Sequence, residues 1–408
     1  MDSRNWITAG TAWTKRLVND TPTNRHILFI TGEYPPLTGG VGAYTERLAS
    51  ALVDLGWNAS VLTTARLDGK SDPSPIEVYP RVARWDWRIW RIVPELARQI
   101  RADWLHVQYQ TAAFGMNPSI NLAVERWRKH GFHVAWTYHD LLVPYLFPKA
   151  GRRLRSVVTR RPAHFADLTI VTNEGDRHEL ESSAPHIFRV PIGSNIPARD
   201  VSQTRRAKFR QELGYASGDF VIAYFGFLNR SKGGLTLVRT LDLVRRQLPQ
   251  ARLLMVGERV GASDPTNFAY LQEVESLIRD RGLEEAVQWT GRLEDEQVSL
   301  ALAAADVLFM PYEDGASLRR GTLMAGLANG CAVVTTEPRT SIPELVDGND
   351  LLFVPPGDVQ SSATALLRVA TDERLCAQLR AGAFAASRQF AWTEIAKIHA
   401  GLYESVNR

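Results

Sequence analysis

Four short stretches of the chain hold glycines, cations or a histidine at spacings that suit binding an anion or moving a proton. The first is Gly39-Gly40-Val41-Gly42, a few residues after an apolar run and at the start of a helix-like segment. Glycines such as Gly40 and Gly42 let backbone N–H groups approach an anion there, and the helix dipole adds partial positive charge. The second runs from Gly226 to Gly234 and sets Arg230 and Lys232 beside three glycines, a match for a diphosphate. A surface turn with incidental bases competes with that reading. The third runs from Asp314 to Gly321 (DGASLRRG). Arg319 and Arg320 can fork onto phosphate oxygens, and Ser317 is expected to cap the helix that follows. Two arginines at a helix start oppose the local dipole unless an anion lies close. The fourth is Tyr138-His139-Asp140. Just beyond the end of a strand, His139 would face a cleft, there to hydrogen-bond or donate a proton. A lone histidine is more often an ordinary one, and His106, inside the preceding strand, reads as a core residue.

Other chemistries fall away. The G-x-G-x-x-G spacing is absent and the second strand ends in Thr63-Thr64-Ala65, with no acid for a ribose, which disfavours a dehydrogenase. Neither a Walker lysine pattern nor a Gly-x-Ser-x-Gly elbow occurs. No paired-histidine motif suggests a metal, and Cys331 and Cys376 are too few for a disulfide framework or a cysteine zinc site. The expected setting is a reducing cytoplasm. MDSRNWITAG has no basic and no apolar region, so a secretory signal is not expected. No apolar run approaches the roughly 18 residues of a membrane-spanning helix. Of 408 residues, 45% are hydrophobic and 23% charged, enough for sizeable cores and too ordered a composition for disorder. Residues 1–200 hold 25 Lys+Arg against 19 Asp+Glu, and residues 201–408 hold 23 against 25. Six of those bases lie between Lys149 and Arg161 without an acid. Such a run attracts phosphate, anionic lipid or nucleic acid, or simply solvates a helix face.

The elements that must position these groups alternate along the chain. His26–Thr31, Ala59–Thr63, Leu105–Tyr109, His133–Tyr138 and Leu168–Thr172 are short, nearly continuous apolar runs, as a parallel sheet covered on both faces requires. Helix-like segments lie between them; in Tyr44–Leu55, leucines 48, 52 and 55 recur at helical spacing. The rhythm restarts after the Pro/Gly-punctuated Pro191–Pro197. A polar helix over Val201–Leu213 precedes Phe220–Phe225, Arg252–Val256, Val287–Thr290, Val307–Met310, Ala332–Thr335 and Leu351–Val354. The pattern predicts an α/β protein of two doubly wound Rossmann-like domains facing across a cleft, with ligands beyond the strands' carboxyl ends. The expected division is an extension over residues 1–24, a first domain over 25–197 and a second over 198–385.

In this combination the chain resembles the retaining GT-B glycosyltransferases of the group 1 or family 4 type. The motifs that carry the resemblance are Glu33-Tyr34-Pro35-Pro36 with Gly39–Gly42, Trp136–Asp140, and Val190–Ser194 at the hinge. Phe225–Leu228 with Lys232-Gly233, Thr290–Leu293, Ala305–Val307, Gly330–Thr336, Ile342–Val346 and Val354–Asp358 follow in order. The resemblance implies that residues 386–408 cross back to complete the first, acceptor-side domain. It also implies a nucleoside-diphosphate sugar as donor, held with its sugar near Gly40 and Gly42. His139 would contact the donor sugar and support its developing positive charge. Lys232 would hold the diphosphate, and Arg292 and Leu293 would run past the base. No cofactor and no metal are implied, since cations and helix N-termini do the electrostatic work. The anomeric bond is expected to be retained by a front-face route in which the leaving phosphate helps deprotonate the acceptor.

Two departures from the family pattern matter. Phe227 stands where an arginine is usual, which leaves Arg230 as the expected substitute. The family's two glutamates spaced eight apart fall at Ser317 and Ala325. Asp314 is then the candidate for the sugar contact, with Ser317, Arg319 and Arg320 on phosphate. The D-G-x-S-x-R-R-G form resembles a bacterial subgroup, which implies a variant site. The lost glutamates also motivate an alternative, a nucleotide-sugar-binding protein of weak or no catalytic activity. Acceptors implied are saccharides, lipid-linked intermediates or small molecules. The basic stretch and the Trp/Arg-rich Arg84–Arg101 add an expectation of peripheral contact with the inner face of an anionic membrane. A helix packed on the sheet competes for the Trp-rich segment. Nucleic acid is not an expected partner, since no recognition-helix pattern occurs.

Overall fold

In the computed structural model, residues 25–406 are described, apart from 38, 66–74, 142, 144–148, 150, 200 and 261–264. The extension expected over residues 1–24 lies outside the described residues. Within the first half the elements run β1 (His26–Thr31), α1 (Gly40–Asp54), β2 (Asn58–Thr64), β3 (Glu77–Val82), α2 (Ile89–Gln99), β4 (Trp104–Tyr109), α3 (Val124–Lys129), β5 (His133–Tyr138), α4 (Gly151–Phe165), β6 (Leu168–Val171), α5 (Glu174–Leu180) and β7 (Ile187–Arg189). All seven strands pair in parallel, in the order β3-β2-β1-β4-β5-β6-β7.

A second parallel sheet, ordered β10-β9-β8-β11-β12-β13, is built from β8 (Phe220–Phe225), β9 (Ala251–Val256), β10 (Val287–Trp289), β11 (Val307–Met310), β12 (Val333–Thr336) and β13 (Leu352–Val354). Around it lie α6 (Gln203–Glu212), α7 (Gly234–Gln247), α8 (Pro265–Asp280), α9 (Asp295–Ala304), α10 (Gly321–Ala328), α11 (Val359–Thr371) and α12 (Glu373–Ser387). The last helix, α13 (Trp392–Val406), returns to the first sheet: Ile395, Ala396 and Tyr403 are buried in the same core as Phe29, Leu48 and Leu168. Trp392 Nε1 donates to the Ser194 carbonyl at 2.7 Å. A Cβ on Gly193 would lie 2.7 Å from the Trp392 ring, so only glycine lets the indole lie against the hinge.

The apolar runs fold as expected because strands buried on both faces have little other choice; β4, for instance, is buried at every position. The two strands that sequence patterning missed are both at sheet edges. Strand β3 carries Glu77, Pro80 and Arg81, and β7 has three half-buried residues, so neither needs a continuous apolar run. The Trp/Arg-rich segment forms α2, which buries Ile89, Val93, Leu96 and Ala97 against the sheet.

In each sheet the chain reverses direction once, between β1 and β4 and between β8 and β11. At such switch points the loops after neighbouring strands part and leave a crevice at their carboxyl ends. His139 follows β5, Lys232 follows β8, and Asp314–Arg320 follow β11.

Candidate active site

The crevice of the second sheet is shaped by two interlocked loops. After β8 the chain passes Gly226 and forms a 3₁₀ turn over Arg230–Lys232, capped by the Asn229 carboxamide oxygen, which accepts from the Lys232 N–H at 3.1 Å. The turn ends at Gly233, whose φ of 72° places it in the left-handed region; a Cβ there would sit 1.8 Å from the Pro311 carbonyl oxygen. Backbone is thus packed on backbone, and the Ser231 carbonyl accepts from the Glu313 N–H at 2.9 Å. This contact holds Lys232 against the β11 loop.

There the Lys232 ammonium is withdrawn from water and lies close to Arg320. Burial, and secondarily Arg320, push its pKa down to about 8. Arg320 pairs with Asp314, lies 4.8 Å above the Tyr312 ring and leaves its Nε buried without a partner. Helix α10 starts immediately after it. Its N-cap is Arg320, with no side-chain cap; the Leu323 and Met324 N–H groups turn back to the Arg320 carbonyl, which leaves those of Gly321 and Thr322 to open the helix. Ser317 does not cap this helix, contrary to expectation. Its hydroxyl instead accepts from the Arg319 N–H within the preceding turn, because the chain makes one more turn before the helix begins.

On the facing side His139 lies at the end of β5, with its backbone N–H on the Tyr109 carbonyl at 2.9 Å. Its Nε2 is 2.9 Å from Gln108 Oε1, and its ring meets Tyr44 edge-on at 4.7 Å. Burial, with His399 as a smaller cause, pushes the imidazole pKa down to about 3, so the ring is neutral. The glycine segment behaves differently from the expectation of an open anion site. Glu33 Oε1 accepts from the N–H groups of Val41 at 3.1 Å and Gly42 at 3.4 Å, so the chain's own carboxylate occupies the start of α1. Gly42 is buried behind it, and Gly40 stays at the surface of the cleft.

Two cavities lie between the domains. One of about 190 Å³ is lined by Gly40, Tyr44, His139, Gly193, Arg319 and Gly321 among others. A neighbouring one of about 270 Å³ is lined by Asp176, Glu179, Asp314, Ser317, Arg319 and Arg339 among others. Arg319 forms part of both walls and reaches Asp176 at 3.9 Å. The structure therefore brings Gly40, His139 and Arg319 together, and Lys232 close to Arg320. It places Asp314 and Ser317 in the second cavity, beyond Arg319. Arg230 is turned outward: its side chain is 70% exposed, bonded to Glu273 and stacked over Tyr270. Arg292 is exposed and Leu293 packs on the second core; like Lys232 and Arg320, neither lines these two cavities. Among the described residues no cluster of three or more His, Cys, Asp or Glu side chains could hold a metal ion. Sequence reasoning missed Gln108, Gln110, Asn195 and Asp176. The polar pair His106 and Gln108, alternating on one face of an otherwise apolar strand, was the available signal.

Two parallel α/β domains with a cleft between their switch points define the GT-B class. Family models agree: residues 39–193 match the glycosyl transferase 4-like domain and residues 219–372 match glycosyl transferases group 1, together about three quarters of the chain. The chain belongs to this family of glycosyltransferases. It is 29% identical over 218 residues to mannosylfructose-phosphate synthase of Agrobacterium fabrum, covering 52% of this chain and 46% of that protein. It is 24% identical over 371 residues to the GDP-mannose-dependent alpha-(1-6)-phosphatidylinositol monomannoside mannosyltransferase of Mycolicibacterium smegmatis, covering 86% of this chain and 91% of that one. The chain thus spans about half of the first relative and nearly all of the other. Among solved structures, Anabaena HepE in complex with UDP-glucose superposes with a TM-score of 0.71 at 19% identity, over 93% of this chain and 99% of that one.

Proposed function

We propose that the protein transfers a hexose from a nucleoside-diphosphate sugar to an acceptor hydroxyl, with retention of configuration and without a metal ion. The observation that carries this reading is the desolvated Lys232 ammonium beside Arg320 at the uncapped start of α10. Asp314 already pairs with Arg320, but keeping the Lys232 ammonium beside that guanidinium and away from water still costs free energy that a bound anion offsets. A diphosphate is such an anion, and its negative charge grows as the bond to the sugar breaks. In this reading Lys232, Arg320 and the N–H groups that open α10 stabilise that charge, the task a divalent cation would otherwise perform. In the proposed step the anomeric C–O bond to phosphate breaks and the acceptor oxygen bonds to the same face. The acceptor proton passes to a leaving phosphate oxygen. Neutral His139 faces the transferred sugar, Asp314 contacts its hydroxyls from the second cavity, and Arg292 and Leu293 pass the base.

The acceptor is a saccharide, a lipid-linked intermediate or a small molecule, met on the cytoplasmic side. The mannosyltransferase relative, named for a phosphatidylinositol monomannoside, favours the lipid-linked class. Helix α4 supports peripheral membrane contact, since Leu154 and Val157 are 57% and 63% exposed beside exposed Arg152 and Arg153. Among the described residues no helix is long and apolar enough to cross a membrane. Flotation with liposomes should recover the protein only when anionic lipid is present; equal recovery with neutral liposomes at low salt removes the membrane from the proposal.

The transfer itself is tested by nucleotide release from UDP- and GDP-sugars with candidate acceptors, with and without EDTA, and by the anomeric signal of the product. Release unaffected by EDTA and a product with the donor's configuration are expected; inversion or loss of activity in EDTA overturns those parts. His139→Ala should lower turnover more than donor affinity. A second reading, binding without transfer, is favoured by Ala325, which is fully buried and offers no hydrogen bond where the family carries a carboxylate. Tight nucleotide-sugar binding with no turnover on any acceptor would establish it.

A further inference from the structure

Behind His139 a file of buried polar groups runs through the first sheet to the last helix. His139 Nε2 meets Gln108 Oε1 at 2.9 Å, and Gln108 Nε2 meets His106 Nε2 at 3.2 Å. His106 Nε2 also receives Thr137 Oγ1 at 2.7 Å, and His106 Nδ1 meets the Tyr403 hydroxyl at 2.6 Å. His106, Gln108, Thr137 and Tyr403 are all fully buried, so no solvent competes for these bonds. The file consists of β4 side chains, Thr137 of β5 and His139 just beyond it, and ends on α13.

Hydrogen counting gives the file a direction. A carboxamide oxygen only accepts, so His139 Nε2 must carry a proton; a carboxamide nitrogen only donates, so His106 Nε2 must be a lone pair. The His106 proton then lies on Nδ1 and is donated to the Tyr403 oxygen, while the Thr137 hydroxyl donates to His106 Nε2. Each of these four contacts then has one donor and one acceptor, with His106 Nε2 accepting from both Gln108 and Thr137.

We propose that Gln108 is a positioning residue that fixes His139 as the Nε2–H tautomer, leaving Nδ1 as a hydrogen-bond acceptor for a sugar hydroxyl. Its sugar-facing part rests on the reading of His139 as the residue beside the transferred sugar. With Nδ1 as a neutral acceptor, His139 offers electron density to the anomeric centre and does not donate a proton to it. Because His106 is anchored by Tyr403, the tautomer is tied to the seating of α13. A sugar presenting a hydroxyl at that point would be preferred over its deoxy analogue, which leaves the lone pair without a partner.

The test is a long-range proton–nitrogen correlation spectrum of the full chain labelled with nitrogen-15 histidine, taken without ligand, with His139→Gln to assign the signal. The wild type should show a protonated Nε2 and an unprotonated Nδ1 at His139. Gln108→Leu should give a mixed or Nδ1–H signal, while Gln108→Glu, which keeps an acceptor oxygen, should restore the Nε2–H form. An Nδ1–H signal in the wild type, or a Gln108→Leu spectrum equal to the wild type, overturns the proposal. Should Gln108→Leu not fold, the wild-type spectrum still decides. Kinetics with whichever of UDP-glucose or GDP-mannose the wild type turns over should show kcat down about tenfold or more in Gln108→Leu, with donor Kd within about twofold. A loss in Kd alone would also count against it. The spectrum is free of substrate, so its result stands whether or not the transferase reading does.

Discussion

At the scale of single residues, Lys232 makes the sharpest commitments. The pKa of its ammonium is pushed down to about 8, by burial first and by Arg320 second. A bound diphosphate favours the charged form and raises that value. Below pH 8 the site is already charged and nucleotide affinity is flat; above it, each binding event must take up a proton. Kd for UDP or GDP should therefore rise by up to about tenfold per pH unit above pH 8. Calorimetry at pH 7, 8 and 9 in two buffers of different ionisation enthalpy reads both the affinity and the proton uptake, and a pH-independent Kd would contradict this. The same depression means that the folded state binds the proton less well than the unfolded chain. Its cost is therefore fully present below pH 8 and fades as pH rises from about 8 towards the unfolded value. Lys232→Met should thus stabilise the empty protein at pH 7 by roughly 1–3 kcal/mol in urea unfolding. His139 could be singled out from its place just beyond the end of a strand, and Lys232 from a glycine-rich loop after a strand, which advertises close backbone approach. Arg230 was misleading for the same reason: sequence proximity to Lys232 says nothing of direction, and the 3₁₀ turn sends its side chain outward to Glu273.

Among the elements, α13 is the one whose role depends most on distant partners. It carries His399 and Tyr403 into the first core, next to His106 and His139. Burial lowers the pKa of all three histidines, to about 3 for His139 and about 4 for His399. Their folded values lie below the unfolded one, so the unfolded chain binds more protons in acid. Stability from these groups is complete above about pH 6.5 and is lost as pH falls towards the folded values. Replacing His399 by Leu should remove about 1–2 kcal/mol of the stability difference between pH 7 and pH 5, the share of one such group. Urea midpoints for wild type and variant at the two pH values check it; an identical acid loss in both would exclude His399. Most strands could be read from their apolar runs, because parallel strands covered on both faces leave little room for polar residues. Edge strands β3 and β7 escaped, since an edge tolerates proline, charge and brevity. The start of α10 escaped too: a serine near a helix start suggests a cap, but here the turn holding Asp314 by Arg320 takes precedence.

For the whole molecule, three ion pairs among the described residues link the domains: Arg47 with Asp295 at 3.0 Å, Arg319 with Asp176, and Arg189 with Glu344. The first is largely solvated and worth little. Arg189 and Glu344 are only 16% and 14% exposed, and Arg189 also holds Glu174 at 3.1 Å, so this pair should fix the relative placement of the sheets. Glu344→Ala should loosen that placement by roughly 1–3 kcal/mol, visible as a larger radius of gyration in X-ray scattering; an unchanged radius would show that the cleft is held elsewhere. None of these pairs could be read from sequence, because the partners are separated by the hinge and each motif is silent about its neighbour across the cleft. The two-domain architecture and the cleft itself were legible, from the restart of the strand–helix rhythm. The proposed diphosphate site at the start of α10 is tested directly by calorimetric titration of UDP, GDP and their sugars against wild type and Lys232→Met. At least one nucleotide should bind the wild type, and the variant should weaken it by roughly 1.5–3 kcal/mol, about 10- to 150-fold. Affinity unchanged in Lys232→Met, or no binding of any nucleotide to the wild type, would contradict it.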